Sequence, residues 1–226
     1  MRNALTRQTV GIGLTVLITS LATIGPAAAQ DATPTAEESV NQRVVAPAEC
    51  TADPVASDAL ATMLNLNGEG VPSSAPPVIT PPLGTTADEA TAEAIRDATR
   101  SVIACFNAED IPRAAALMTE HGVQRVYGSL TTSDELRATT RDRLAATPEP
   151  RAEDQMVRLI AATEPIVLSD GRVASFVVIN EPLLPPSGPE TLLFVFAEQD
   201  GRWLLDDLVD FSVVPLPTGK EATPTA

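Results

Sequence analysis

Residues 191–210 read TLLFVFAEQDGRWLLDDLVD. On both sides of Asp200-Gly201 lie short runs rich in apolar and aromatic residues, a composition typical of β-strands. Asp-Gly between two such runs is the strongest short signal for a β-hairpin, because these residues tolerate the positive φ angles of a tight turn. This stretch therefore predicts two antiparallel strands.

The residues before this hairpin also alternate with a period of two, which is typical of β-strands. A second Asp-Gly pair, Asp170-Gly171, again lies between two apolar runs and predicts another hairpin. A longer loop with four prolines separates the two hairpins. Predicted strands cover residues 156–162 extended through 166–168, 173–180, 191–198 and 202–214.

Before residue 150 the apolar spacing is helical. Thr86 with Glu89, and Thr132 with Glu135, match the capping box, in which each side chain pairs with the other residue's free backbone amide. The predicted elements are helices over residues 86–107 and 110–122, a short extended piece over 123–130, and a helix over 132–146. Helices followed by antiparallel strands indicate an α+β domain.

The chain divides into segments of different composition. Apart from the α+β domain, most of it is rich in Pro, Thr, Ala and Gly, which is typical of spacers and linkers. One exception is a short apolar stripe after Ser57, which predicts a helix over 57–65 that docks on the main domain. The predicted organisation is a signal peptide at 1–29, a disordered spacer at 30–49, this helix with a Pro/Gly-rich linker at 50–85, the main domain at 86–214 and a disordered tail at 215–226.

The first thirty residues have the anatomy of a secretory signal. Arg2 and Arg7 precede an apolar stretch over residues 10–25, and small residues at 27–29 suit cleavage. The alternative is an uncleaved anchor, but a membrane span needs about 20 apolar residues and this stretch is shorter. We therefore expect an exported protein, secreted or held on the extracytoplasmic side, with no membrane span in its mature form.

Composition excludes several classes of function. The formal net charge is −15, whereas nucleic acids and anionic membrane surfaces both need a basic footprint. A single histidine and two cysteines do not provide a multi-histidine or cysteine-rich metal site. Gly-rich phosphate loops and the Gly-x-Ser-x-Gly nucleophile motif are missing. We therefore predict no metal and no cofactor.

Cys50 and Cys105 are predicted to form a disulfide. An even cysteine count in an exported protein favours pairing. The bond would staple the segment after Cys50 to the main domain and stabilise it by on the order of 4 kcal/mol in the loop-entropy model. The alternative is two free thiols, with Cys105 buried as a small apolar residue.

Two motifs carry a resemblance to a known family. A long helix ends in Cys105-Phe106-Asn107-Ala108-Glu109-Asp110, and Asp200-Gly201-Arg202-Trp203 closes the last hairpin. With the order of elements between them, residues 86–214 resemble the nuclear transport factor 2-like superfamily, also called cystatin-like or SnoaL-like. The resemblance implies a curved antiparallel sheet wrapped by N-terminal helices into a cone, whose interior often holds a small apolar molecule.

The same resemblance bears on catalysis. Enzymes of this superfamily often place a catalytic carboxylate just after the second helix, but no Asp or Glu lies between Glu120 and Asp134. This favours a secreted or cell-surface domain that binds a small apolar molecule or a protein without catalysis. The alternative is a SnoaL-like cyclase, isomerase or hydrolase acting in the cone pocket. A homodimer is a further expectation, since open sheets of this type often pair.

Three polar candidates lie close together in sequence. His121 is the one histidine and could serve as a general base, or could cap a helix end near Gly122. On the predicted extended piece, Arg125 and Tyr127 share one face. That face either meets solvent or lines the pocket, where the Tyr127 hydroxyl could donate to a ligand carbonyl.

The last strand adds two more candidates for the pocket, Trp203 and Asp207. Strict alternation puts them on one face with Leu205, Val209 and Phe211. A carboxylate in such a row is costly to bury alone and would have a raised pKa. Asp207 is therefore the candidate acid of the enzyme alternative, unless it lies at the sheet rim or pairs with an arginine. Arg158 and Arg172 are the candidate arginines for a pair with Asp207.

Overall fold

The computed structural model describes residues 43–68, 82–183 and 188–211. The predicted signal peptide, the spacer up to residue 42, most of the Pro/Gly-rich linker and the tail after residue 211 lie outside the described residues and stay predictions. Within these ranges, none of the helices combines the length and the apolar character that a membrane span requires.

The described strands form one open, seven-stranded sheet in which all paired strands run antiparallel. Together with the helices before them, this confirms the α+β prediction. The strands are β1 Arg43–Val44, β2 Gly84–Thr86, β3 Arg158–Ala162, β4 Ile166–Leu168, β5 Val173–Asn180, β6 Pro189–Gln199 and β7 Arg202–Asp210.

Strand β5 lies at the centre of the sheet. One edge of β5 pairs with β6, which pairs in turn with β7. The other edge pairs first with β3, where Arg158 faces Asn180, and then with β4, where Ile166 faces Ala174. Strands β3 and β4 are thus two pieces laid end to end along β5, as the extended prediction over 156–168 requires. Strands β1 and β2 add outside β3 and β4.

Five helices are described. They are α1 Ser57–Met63, α2 Glu89–Asn107, α3 Ile111–Ala115, α4 Glu120–Tyr127 and α5 Asp134–Ala145. Asp110 caps α3, but the capping boxes predicted at Thr86 and Thr132 do not start their helices. Asp88 caps α2 and Ser133 caps α5, while Thr86 pairs in β2. Ser57 is the first residue of α1 and provides no cap.

The predicted extended piece at 123–130 is wrong. Residues Glu120–Tyr127 form α4, and a 3-10 turn follows at Gly128–Thr131. The Thr119 hydroxyl accepts a hydrogen bond from the Gly122 amide and so starts the helix. Gly122 does not end the helix but allows it to approach β7, because a Cβ there would lie 2.1 Å from the Leu205 carbonyl oxygen.

Two apolar clusters lie on opposite faces of the sheet. In β5, Val173 and Val177 belong to the first cluster and Ala174 to the second, as the period of two requires. The first cluster is the main core, in which the sheet packs against α1 through Leu60 and against α2 through Ile95. The helices and the segment before α1 therefore pack on one face of the sheet.

The disulfide prediction is confirmed, since Cys50 and Cys105 are bonded. Two further contacts hold the same segment to α2. The Arg100 guanidinium donates two hydrogen bonds to the Glu49 carboxylate, and this pairing lowers the Glu49 pKa. The fully buried Asn107 amide donates to the Val45 carbonyl at 2.9 Å. The end of α2 is thus fixed to the segment before α1 by covalent and polar contacts.

The predicted single row along β7 is wrong. Leu205 pairs with Phe196 but Asp207 pairs with Val195, so the register shifts and Asp206 is left without a cross-strand partner. Such a bulge moves the following residues to the other face. Consequently Trp203 and Leu205 pack in the main core, whereas Val209 lies in the second cluster.

Candidate functional site: a cleft at the end of the long helix

A cleft of about 550 Å³ lies where α2 ends and α4 turns into the following 3-10 turn. This volume falls in the range of small-molecule sites, roughly 300–1,000 Å³. Its apolar walls come from Phe106, Ile111, Val126, Leu130 and Leu183. Cys105 and the polar side chains of Glu109, Asp110, Tyr127, Ser129, Arg143 and Arg151 complete the lining.

Tyr127 is the last residue of α4, and its ring packs on the main core beside the cleft. Among the described residues, its hydroxyl makes no hydrogen bond. Burial raises the pKa of Tyr127, and the negative charge of Glu109 raises it further. The phenol is therefore a neutral group in the cleft wall, able to donate one hydrogen bond to a ligand oxygen.

Arg151 forms the centre of the polar wall. Its Nε donates to Glu109 Oε1 at 2.6 Å, and its Nη1 donates to both oxygens of the buried Glu181 at 2.8 Å. Its backbone amide donates to the Asn107 carbonyl, which fixes the segment before β3 to the end of α2. Burial alone would lower the Arg151 pKa, but the bonds to Glu181 and Glu109 outweigh it and raise the pKa. One positive charge is thus shared between two carboxylates.

The remaining charged groups differ in how firmly they are held. Asp110 accepts hydrogen bonds from the backbone amide and the guanidinium of Arg113. Arg143 lies across the cleft with Nη2 at 3.9 Å from Glu109 Oε2, which is too long for a hydrogen bond, and its side chain is 56% exposed. The guanidinium of Arg143 makes no hydrogen bond to the described residues.

A second, smaller cavity of about 290 Å³ adjoins the cleft. Glu109, Ile111 and Arg143 line both cavities. The rest of the second cavity is formed by the residues that follow α5, namely Ala146, Thr147, Pro148 and Glu149. The Glu109–Arg143 pair therefore stands at the junction.

Arg125 and Asp207, two residues predicted for the ligand pocket, pair with each other. Arg125 Nε donates to Asp207 Oδ1 at 2.8 Å, and both side chains are mostly buried. Asp207 therefore has an arginine partner, although neither Arg158 nor Arg172 supplies it. Neither member of the pair lines the cleft, and Trp203 packs in the main core. Of the four predicted pocket residues, Tyr127 lines this cleft.

His121 lies in the first turn of α4, so the prediction that it caps a helix C-terminus near Gly122 is wrong. Its Nδ1 donates to the Asp206 carbonyl oxygen at 2.8 Å. The Asp206 carboxylate accepts from the Thr119 hydroxyl at 2.7 Å and from Arg172 Nη1 at 2.9 Å. We call Thr119, His121, Arg172 and Asp206 the edge cluster, because it joins α4 to the outer strand β7. Its polar groups bind one another.

The sequence does not predict the polar wall, which consists of Glu109 and Arg151 in the cleft lining and of Glu181 behind Arg151. These residues lie 42 and 30 residues apart along the chain, so no local pattern links them. Glu109 lies just after α2, and its φ of 52° is uncommon for a residue other than glycine. Within the described ranges, no three metal-binding side chains come together.

Comparisons with protein families, with curated proteins and with solved structures find no match.

Proposed function

We propose that the protein is an exported, non-catalytic domain that binds a small apolar molecule in the cleft beside Tyr127. We further propose that residues 86–214 have the nuclear transport factor 2-like architecture, with the sheet curved into a cone. The order of helices before strands and the packing of the helices on one sheet face support that architecture. The bonded cysteines support export, because disulfides persist outside the cytosol.

A single observation carries the binding proposal. The cleft has apolar walls, its buried charges are paired, and the neutral hydroxyl of Tyr127 has no partner among the described residues. Small-molecule sites combine apolar walls with a few polar groups that orient the ligand. The hydroxyl of Tyr127 is not shut off from solvent, so a ligand carbonyl can take the place of water there.

The enzyme alternative requires an acid near Tyr127. Asp207 is paired with Arg125 and does not line the cleft. The carboxylates that do line it beside Tyr127 are hydrogen-bonded to arginines. A proton-transfer role would need these pairs to break first, so the geometry favours binding over catalysis.

The proposal is tested with two tryptophan variants and a panel of apolar compounds. Leu130→Trp should fill the cleft, because Leu130 lines it. Leu136→Trp adds the same side chain to an exposed position of α5 and serves as the matched control. We expect compounds that raise the melting temperature of the wild type and the control to have no effect on Leu130→Trp.

Two outcomes would contradict the proposal. One is that no compound in a panel of neutral, anionic and cationic apolar molecules stabilises the wild type. The other is that stabilising compounds act equally on Leu130→Trp, since binding would then lie elsewhere. Circular dichroism of both variants should show the same secondary structure as the wild type, which excludes unfolding as the cause.

A further inference from the structure

The two cavities share three lining residues, and the side chain at their junction is held weakly. Arg143 has its nearest acidic oxygen at 3.9 Å and is more than half exposed. Ion pairs of this kind contribute little, about 0–1 kcal/mol, so Arg143 can move at small cost. Glu109 on the other side of the junction is fixed, because Arg151 holds it at 2.6 Å.

We propose that the two cavities form one groove for an elongated neutral molecule, and that Arg143 sets the length of ligand that fits. This rests on the proposed function. The oxygen of the ligand meets the Tyr127 hydroxyl, and its apolar chain runs toward the junction at Ile111. When Arg143 lies across the junction the groove ends there, at about 550 Å³; when Arg143 turns out, the further 290 Å³ becomes accessible.

The charges around the groove favour a neutral ligand. Arg151 already binds two carboxylates, and Asp110 already binds Arg113. An anion at Arg143 would meet Glu109 beside it, on a protein whose net charge is −15. A cation would meet Arg143 at the junction. A carbonyl oxygen needs only the donor that Tyr127 supplies.

The experiment measures the affinities of straight-chain methyl ketones of increasing length by isothermal titration calorimetry. For the wild type, affinity should rise about fourfold for each methylene that enters the apolar cleft, and then level off where the chain reaches Arg143. In Arg143→Ala the rise should continue over several further methylenes. Arg143→Gln, which keeps a polar but shorter and uncharged side chain, should give an intermediate limit.

Two further variants separate length from head-group recognition. Tyr127→Phe should weaken every ketone about fivefold, the effect of one neutral hydrogen bond, and leave the length limit unchanged. Arg96→Ala removes a charge from an exposed position on α2 outside the cleft. It should leave both the affinity and the length limit as in the wild type.

The outcomes distinguish this inference from the proposed function. If short ketones bind but Arg143→Ala has the same length limit as the wild type, the junction role of Arg143 is wrong and the binding proposal survives. If carboxylates of equal length bind more tightly than ketones and lose this advantage in Arg143→Ala, the ligand is an anion and the inference is overturned. If no ketone or carboxylate binds at all, both proposals fall.

Discussion

The two ends of α4 use polar side chains differently. The first turn belongs to the edge cluster, where Thr119 and His121 both bind Asp206. The last turn carries Tyr127, whose hydroxyl faces the cleft region and makes no hydrogen bond to the described residues. Both ends lie against the same core, so burial alone does not explain the difference.

The two ends differ in how the neighbouring polar groups are hydrogen-bonded. Asp206 receives bonds on both carboxylate oxygens and on its carbonyl, which fixes α4 against β7. Near Tyr127, Glu109 accepts from Arg151 and Asp110 accepts from Arg113, and neither carboxylate accepts from the phenol. Polar groups that satisfy one another stabilise structure, whereas the Tyr127 hydroxyl is the group that the proposed ligand would use.

The largest effect is expected at the close approach of α4 to β7. Gly122→Ala should lower the free energy of unfolding by about 3 kcal/mol, because the new Cβ would collide with the Leu205 carbonyl and push the helix off the strand. Gly128→Ala, at the opposite end of α4, meets no atom within 4 Å. It should leave stability unchanged or raise it slightly, since Ala costs less conformational entropy than Gly.

Chemical denaturation of both variants measures this contrast. Equal stability of Gly122→Ala and Gly128→Ala would show that α4 can move away from β7 without loss. That result would also remove the argument that the edge cluster has a structural role.

The sequence predicts the features that have a local signal and misses those that depend on contacts between distant residues. The Asp200-Gly201 hairpin has a local signal, and both residues do adopt positive φ angles, 52° and 73°. The strands, the α+β class and the disulfide follow from period, order and cysteine count. Helix α4 does not, because glycine and valine have low intrinsic helix propensity. Its packing on β7, which involves residues more than 80 positions away, stabilises it.

The cleft is harder to predict than the fold. Tyr127 stands out in the sequence as the one tyrosine, but the pattern predicts an extended segment around it, and this segment is helical. The polar wall around Arg151 joins three distant parts of the chain. The bulge that separates Leu205 from Asp207 depends on the partner strand and on the contact with α4. These features arise from tertiary packing, which no local pattern encodes.

The second prediction compares the central arginines of the two polar regions. Arg151→Leu should destabilise the protein by about 2 kcal/mol, because it leaves the buried carboxylate of Glu181 without its partner. Arg172→Leu should cost less than about 1 kcal/mol, because Arg172 is 37% exposed and water can replace it beside Asp170 and Asp206.

Denaturant unfolding of the two leucine variants gives the difference directly. Glu181→Gln combined with Arg151→Leu serves as the control, since removing the buried charge should restore part of the lost stability. A larger loss for Arg172→Leu than for Arg151→Leu would reverse the assignment, and would make the edge cluster the more strongly coupled of the two regions.

The smallest effect concerns the proton of Tyr127. Burial raises its pKa in the folded state, whereas the unfolded chain ionises near the ordinary tyrosine value of about 10. Above that pH the unfolded state binds fewer protons than the folded state, so the free energy of unfolding falls as pH rises. By about pH 11 the loss should be on the order of 1 kcal/mol relative to Tyr127→Phe, which lacks this titration. Below about pH 9 the two proteins should differ by a constant amount.

Since Tyr127 is the one tyrosine in the chain, the ultraviolet absorbance of tyrosinate reports its ionisation without interference from other tyrosines. If absorbance showed a phenol that ionises near its ordinary value while the protein remained folded, Tyr127 would be fully open to solvent, and the contrast between the two ends of α4 would fail.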